Sequence, residues 1–242
     1  MLPTTGDSGL LDAFDVGFDL HDVTMVGNTS AGVAIQTGTV PCSIENVVFQ
    51  NASTAVLAQG AVKIFNIQIS NSTFGIHVLD GGTLTLDRAI IHGGMNPILV
   101  KTAGDGTVNV TNLLAYDATG PLDVGGAQGT IAFSTVGATN GAVAGLNCGP
   151  EVTLDATIVW NTSSSAISGT CQAIHSTIAG PTAVTGATNI DPMFANPLQS
   201  DYHLAAGSPA IDQVQSGPSD DFEGDSRPQG SSYDIGADEY KP

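Results

Sequence analysis

The 242-residue chain carries 5 Lys plus Arg against 23 Asp plus Glu, a formal net charge of −18. That balance excludes a nucleic-acid partner, because phosphate binding needs clustered cations, and a polyanionic ligand would need metal ions to bridge the like charges. Hydrophobic residues make up 41% and aromatics only 5%, so a core can form but it is aliphatic. The 30 glycines, set among many Thr, Ser and Asn, point to short strands and turns. No apolar run reaches the ~18 residues of a membrane span, so no membrane insertion is expected.

Met1–Asp7 has neither the basic start nor the apolar stretch of a signal peptide,. It lies close to the first repeat, so the chain reads as a fragment or a mature form.

The repeat begins at Leu20. The segments Leu20–Gly27, Ile44–Asn51, Ile64–Asn71, Leu86–Gly93, Val110–Asp117, Phe133–Asn140, Leu154–Asn161 and Ile174–Pro181 align on their third residue. These anchors are Asp22, Asn46, Asn66, Arg88, Asn112, Thr135, Ala156 and Ser176, about 22 residues apart. An aliphatic or aromatic residue stands two positions before each anchor, and Gly, Asn or Asp usually stands five positions after it. Asn suits the anchor because it tolerates the left-handed backbone of a tight bend. A second short strand follows each anchor by about ten residues, at Val33–Ile35, Val56–Ala58, Ile76–Val78, Ile98–Val100, Leu122–Val124 and Val143–Gly145.

Neither strand can bury its apolar face alone, but stacking coil on coil ~4.8 Å apart does so. The expected fold is therefore all-β: a right-handed parallel β-helix, a single-stranded solenoid of about eight coils of ~22 residues, spanning residues 1–188. Val47, Ile67, Leu113 and Val136 should form one continuous interior column. A propeller repeat would be about twice as long, and the leucine-rich signature is absent.

Candidate functional residues fall into three groups. On the second strand the outward positions run Ala34, Leu57, His77, Leu99, Asp123, Ala144 and Ile167, with Lys101 two beyond Leu99. His77, Lys101 and Asp123 would share one face over three coils, with Asp80 and Asp105 in adjoining loops. A lysine base beside a calcium-neutralised carboxylate is the chemistry of a polysaccharide lyase. Isolated polar residues on a solvated sheet are the plainer alternative. Asp87 and Asp155 share a column but lie three coils, about 14 Å, apart, beyond the reach of a glycosidase pair.

Four positions past the anchor lie His92, Tyr116 and Trp160, a row of rings able to stack sugars. Two positions past it lie Val48, Ile90, Leu114, Ile158 and Ile178, too apolar for a solvated strand. That column should pack under a loop, the C-terminal segment or another subunit.

Residues 189–242 depart from the repeat. They contain Asn189–Phe194, Asp201–Leu204, Gly207–Asp212, Asp225–Pro228 and Asp234–Tyr240 in order. This set resembles the C-terminal end of bacterial right-handed β-helix repeat proteins of the choice-of-anchor Q type, in the pectate-lyase-like superfamily. The resemblance implies export, so a secreted or cell-surface protein, and some relatives of the fold are polysaccharide lyases or hydrolases. Physically the segment reads as a cap over an open solenoid end, with Phe194, Leu204, Ile211, Ile235 and Tyr240 supplying apolar contacts. Arg227 among Asp212, Asp221, Asp225 and Asp234 reads as a buried Arg–carboxylate network. The competing reading is a calcium loop from Asp220, Asp221, Glu223 and Asp225, though its spacing is not that of an EF-hand.

Cys148 and Cys171 stand one coil apart, close enough for a disulfide in an exported protein. Cys42 lies several coils away without a matching partner, and no spacing fits zinc.

The functional expectation is a non-catalytic structural, adhesive or glycan-binding module of the extracellular space. The alternative is a calcium-assisted lyase or a hydrolase of acidic polysaccharides. No cofactor is required, calcium being the one candidate, and the oligomeric state is not legible.

Overall fold

The computed structural model describes residues 11–13, 16–26, 33–79, 81–100, 106–138, 145–161, 166–180 and 184–242. They form a β-solenoid with two walls of parallel strands. The narrow wall is an eight-stranded sheet that takes Leu11–Ala13, Val33–Thr37, Thr54–Ala58, Phe74–Val78, Asn96–Val100, Leu122–Val124, Leu146–Cys148 and Ile167–Gly169 in chain order. The wide wall is a twelve-stranded sheet that begins Asp19–Val26, Cys42–Gln50, Ala61–Ser70, Thr83–His92 and Gly106–Tyr116.

A positive-φ residue bends each long strand of the wide wall midway, which lets one strand serve two straight limbs. These residues are Asp22, Asn46, Asn66, Arg88 and Asn112, with φ between 51 and 59°. Asn66 Nδ2 donates to Asn46 Oδ1 at 2.7 Å, so the bends are also stitched along the stack. In the later rungs the bend becomes a break. Ala127–Ala132 and Thr135–Ala138 share one rung, followed by Val152–Asp155 with Ile158–Asn161 and Gln172–Ile174 with Ser176–Ala179. The positive-φ residues there are Phe133, Ala156 and His175. Two anchors therefore move, from Thr135 to Phe133 and from Ser176 to His175. Ser134 and Ser176 accompany the breaks, donating Oγ–H to the carbonyls of Ala132 and Ile174 at 2.7 and 2.8 Å. They also accept the N–H groups of Leu113 and Thr157. Hydroxyls thus satisfy backbone groups that the interrupted ladder leaves open.

About six turns are closed by both walls, fewer than the eight anchors. The bend after the first anchor falls outside the described residues. Among the described residues the coil begun at the last anchor adds no strand to the narrow wall, which ends at Ile167–Gly169.

The bore is aliphatic. Val23, Val47, Ile67, Ala89 and Leu113 are in register, and from Val47 to Leu113 they are at most 1% exposed. Val136 also lines the bore, but in the neighbouring column Met25, Phe49, Ile69, Ile91, Ala115, Val136, Val159 and Ile178. The two-residue shift of the anchor displaces Val136 by one inward position, and the one-residue shift turns Ile178 inward. In the narrow wall the seventh strand is Leu146–Cys148, later than the expected Val143–Gly145, of which residues 143 and 144 lie outside the described residues. Cys148 and Cys171 form a disulfide with Cα atoms 5.4 Å apart, and Cys42 is a buried free thiol. Among the described residues no helix is long and apolar enough to cross a membrane.

The solenoid ends with Val184 and Ala187 packed against the bore and Ala187–Thr188 as a last short parallel strand, so residues before 189, not the C-terminal segment expected as a cap, make this closure. The chain then folds back along the outer face of the wide wall. An antiparallel hairpin, Phe194–Asn196 with Asp201–Leu204, leads this return. Phe194, Leu204, Ile235 and Phe222 bury themselves against Leu114, Phe133 and Ile158 of the wall.

Candidate functional site

The narrow wall carries the column Gln36, Leu57, His77, Leu99, Asp123, Asn147 and Ser168. Its centre is as expected from the sequence. Its ends are not: Gln36, Asn147 and Ser168 hold the places assigned to Ala34, Ala144 and Ile167, and Ile167 is buried at 2% exposure. His77 and Asp123 are two rungs apart, about 10 Å. The His77 ring lies 5.7 Å from that of Phe74. Asp123 Oδ1 accepts from Asn147 Nδ2 at 2.7 Å and from the Gly125 N–H at 3.1 Å. Asn147 Oδ1 accepts from Ser168 Oγ at 3.2 Å. This is a polar ladder running along the stack, and it engages the carboxylate offered as a catalytic group. Lys101, Asp80 and Asp105 lie outside the described residues.

The aromatic row is real but roofed. His92 and Tyr116 occupy adjacent rungs and stack, ring centroids 5.0 Å apart and planes within 10°. The next rung places Gly137 in the row, followed by Trp160. Tyr202 of the hairpin fills the space that Gly137 leaves: an added Cβ there would lie 2.5 Å from Tyr202 Cε1. Tyr202 is 5.1 Å from Tyr116 and 6.4 Å from Trp160, and Phe194 meets Trp160 edge-on at 5.7 Å. Asp117, just past the row, accepts from Ser200 Oγ at 3.0 Å and from the Tyr202 hydroxyl at 3.3 Å. The apolar column beside the row, with Ile90, Leu114 and Ile158, lies under the same segment. Burial lowers the His92 pKa and raises that of Tyr116.

The four carboxylates considered for calcium do not converge. Asp220 pairs with Arg88 Nη2 at 2.7 Å. Asp221 Oδ1 accepts the N–H groups of Glu223, Gly224 and Asp225, and its Oδ2 accepts that of Glu239. Glu223 pairs with His203 Nε2 at 3.0 Å, and Asp225 with Lys241. Among the described residues no group of three or more His, Cys, Asp or Glu is placed to hold a metal ion. The loop is a turn held by its own side chains.

Arg227 is the centre of the segment, with its side chain fully buried. Its guanidinium donates to Glu239 Oε2 at 3.3 Å and to the carbonyls of Asp234, Gly236 and Ala237, and it lies 5.3 Å from the Phe133 ring centre. The carboxylate partner is thus Glu239, not one of the four aspartates expected. Asp234 instead accepts the N–H groups of Asp212 and Tyr240, each at 2.7 Å. Burial outweighs these hydrogen bonds and pushes the Asp234 and Glu239 carboxyls upward. It takes Asp238 to about 6, although that carboxylate accepts the Leu204 N–H at 2.7 Å.

Several contacts had no clear sequence signal. Thr135 Oγ1 accepts the Ala237 N–H at 2.9 Å, and Ala156 O accepts that of Gly236 at 2.8 Å. Arg88, one of the bend residues, reaches over the Phe65 ring at 4.9 Å to grip Asp220. His203 sits between Asp201 Oδ1 at 2.6 Å and Glu223 Oε2 at 3.0 Å. Comparison with protein-family models, with curated proteins and with solved structures finds no match.

Proposed function

We propose that the chain is a non-catalytic structural module of an extracellular or cell-surface solenoid protein. The observation that carries this reading is the roof over the wide wall. The aromatic row faces Tyr202 and Phe194 of the same chain instead of an open groove. The acidic turn offered for calcium is engaged in holding that roof. A stack of parallel rungs with a sealed flank serves as a rigid spacer or display rod, because each rung braces only its neighbours and length scales with repeat number. The excess of 18 negative charges keeps such a rod soluble and apart from its copies,. The ordered C-terminal motifs, which resemble those of the choice-of-anchor Q type, support an exported setting, as does the disulfide,.

The test is a screen of uronate polymers and neutral glycans with and without calcium. Binding is read by calorimetry and lyase turnover by the absorbance of unsaturated products. The expected result is neither binding nor turnover. Turnover that disappears in Lys101→Ala would replace the structural reading with a polysaccharide lyase. Binding without turnover, lost in His77→Ala or Asp123→Ala, would replace it with a glycan-binding module on the narrow wall.

A further inference from the structure

The roof over the aromatic row is held unevenly. Its inner contacts are apolar, through Phe194, Tyr202 and Leu204. Its outer fastening is ionic and centres on one imidazole. His203 lies in the strand Asp201–Leu204, with Nδ1 on Asp201 of that strand and Nε2 on Glu223 of the acidic turn. Both nitrogens can face carboxylate oxygens only if both carry protons, so the bridge requires the imidazolium. The other charged groups around it are mostly negative. Asp225 comes from the turn, with Asp221 beside Asp238, and Asp238, Glu239 and the Tyr240 phenol come from the final stretch. Lys241 is the nearby cation and is paired with Asp225. Farther along the turn, Asp220 is paired with Arg88 of the wall. His203, Glu223, Asp225, Asp238, Glu239 and Lys241 border a recess of about 220 Å3 beside the hairpin, so water reaches the bridge.

We propose that the hairpin Phe194–Leu204 is a latch held shut over His92, Tyr116 and Trp160 by the proton on His203, and that mildly alkaline solution releases it. Loss of that proton leaves a neutral ring facing Asp201 and Glu223 and removes the positive charge that joins the hairpin to the turn. Asp238, which holds the hairpin through the Leu204 N–H, then has one cation fewer beside it.

The direction in pH follows from the same groups. Burial disfavours the charged ring, but the hydrogen bonds it donates to Glu223 and Asp201 and the charges of Asp238 and Glu223 outweigh it and raise the His203 pKa to about 9. A raised histidine stabilises the folded arrangement below its ordinary value and ceases to do so as pH rises through the raised one. Asp238, raised to about 6, has the same sign, favouring closure at lower pH,. Release uncovers an apolar and aromatic strip that the closed form hides. This goes beyond the structural role proposed above, because it gives the rod a face that is presented conditionally.

Trp160 is the single tryptophan of the chain and touches the hairpin through Phe194, so it reports the latch directly. The experiment follows acrylamide quenching of Trp160 in the full chain from about pH 6 to about pH 10, with far-UV circular dichroism in parallel. Tyr202→Phe serves as a background that removes the phenol hydroxyl beside Trp160. The expected result is quenching that rises several-fold with a midpoint near 9 while the β-sheet signal holds. Glu223→Gln should bring the midpoint down by about one pH unit, and His203→Gln should quench readily at every pH. If His203→Gln does not fold, the shift in Glu223→Gln decides. Flat quenching to about pH 10, a midpoint that does not move in Glu223→Gln, or a rise that coincides with loss of the β-sheet signal overturns the latch. So does a transition that follows added calcium instead of pH.

Discussion

The stack and the C-terminal segment solve the same problem, hiding apolar surface, with opposite means. Between Cys42 and Tyr116 most of the described residues lie in parallel strands, and the buried side chains there are almost all aliphatic. From Asn189 to Pro242 regular structure amounts to one short hairpin and one turn of 3-10 helix. Yet this segment buries Asp221, Arg227, Asp234, Asp238 and Glu239. In the stack, ladders satisfy the backbone and the side chains need only be apolar and of suitable size. In the segment the backbone has no ladder, so carboxylates accept its N–H groups and a guanidinium donates to its carbonyls and partly offsets the negative charge. The first arrangement tolerates substitution, while the second depends on particular atoms.

The sharpest way to break this contrast is Arg227→Met. Removing one partner of a buried ion pair costs about 3–5 kcal/mol, because the other charge is left uncompensated. Here Glu239 remains, along with three carbonyl oxygens that lose their donor. The segment should detach, with proteolysis cutting beyond Thr188, while the stack keeps its circular dichroism. The defect should depend on pH. Asp234 and Glu239 already sit above the usual carboxylate range through burial, and losing the cation raises them further. Groups raised in the folded state favour it when protonated, so the deficit should shrink towards about pH 5 and grow as pH rises. A penalty independent of pH would mean that the lost carbonyl bonds, not the charges, dominate.

The double substitution of Cys148 and Cys171 by serine comes next, at about 2–4 kcal/mol. The disulfide joins the strand Leu146–Cys148 to the chain just past Ile167–Gly169. Because a stack is held by nearest-neighbour contacts, the loss should be local. Hydrogen exchange should quicken from Leu146 onward and stay slow from Ile44 to Ile91. Uniform quickening would show that the stack unfolds as one unit.

How far the sequence reaches follows the same division. Six bend positions were legible because a positive-φ backbone selects particular residues or leaves an aligned neighbour on either side: Asp22, Asn46, Asn66, Arg88, Asn112 and Ala156. The other two bends are made by Phe133, a bulky residue disfavoured at positive φ, and His175, which tolerates it,; Ser-Thr pairs stand beside both and mask them in the alignment. A slip of two at Phe133 keeps Val136 inside but in another column, and a slip of one at His175 turns Ile178 from outside to inside. Both results follow from the two-residue period of a strand. The aromatic row was visible as His92, Tyr116 and Trp160, but its missing member was not, since the slip hid Gly137. That Tyr202 completes the row depends on how a non-repeating segment returns across the wall, and no period encodes that path. The same limit applies to Arg227, whose carboxylate partner is Glu239 and not one of the surrounding aspartates.

Gly137→Ala tests that joint directly. The added methyl would meet the Tyr202 ring at 2.5 Å, and overpacking a buried contact costs about 1–3 kcal/mol. The strand itself has no objection to alanine, so the effect should appear at the hairpin, as a red-shifted Trp160 emission with the stack intact. Tyr202→Ala added to Gly137→Ala should then recover no more than part of the loss, because the ring contacts to Tyr116, Trp160 and Phe194 go with it.

The smallest effect belongs to the bore. Ile69 is 1% exposed and lies between Phe49 and Ile91 in one inward column, a position where a domain with a single irregular core would be sensitive. Ile69→Val removes one methylene, which costs about 0.5–1.5 kcal/mol. The value should fall at the low end, because the rungs above and below can settle towards each other along the stack axis without breaking a ladder hydrogen bond. It should also match, within error, the cost of Ile91→Val one rung further on, since both sit in the same repeating environment. Denaturant unfolding of the two variants gives the comparison. Equal small losses would establish that the bore asks only for aliphatic bulk, whereas a loss at either site approaching that of Arg227→Met would show the stack to be as particular about its atoms as the segment that roofs it.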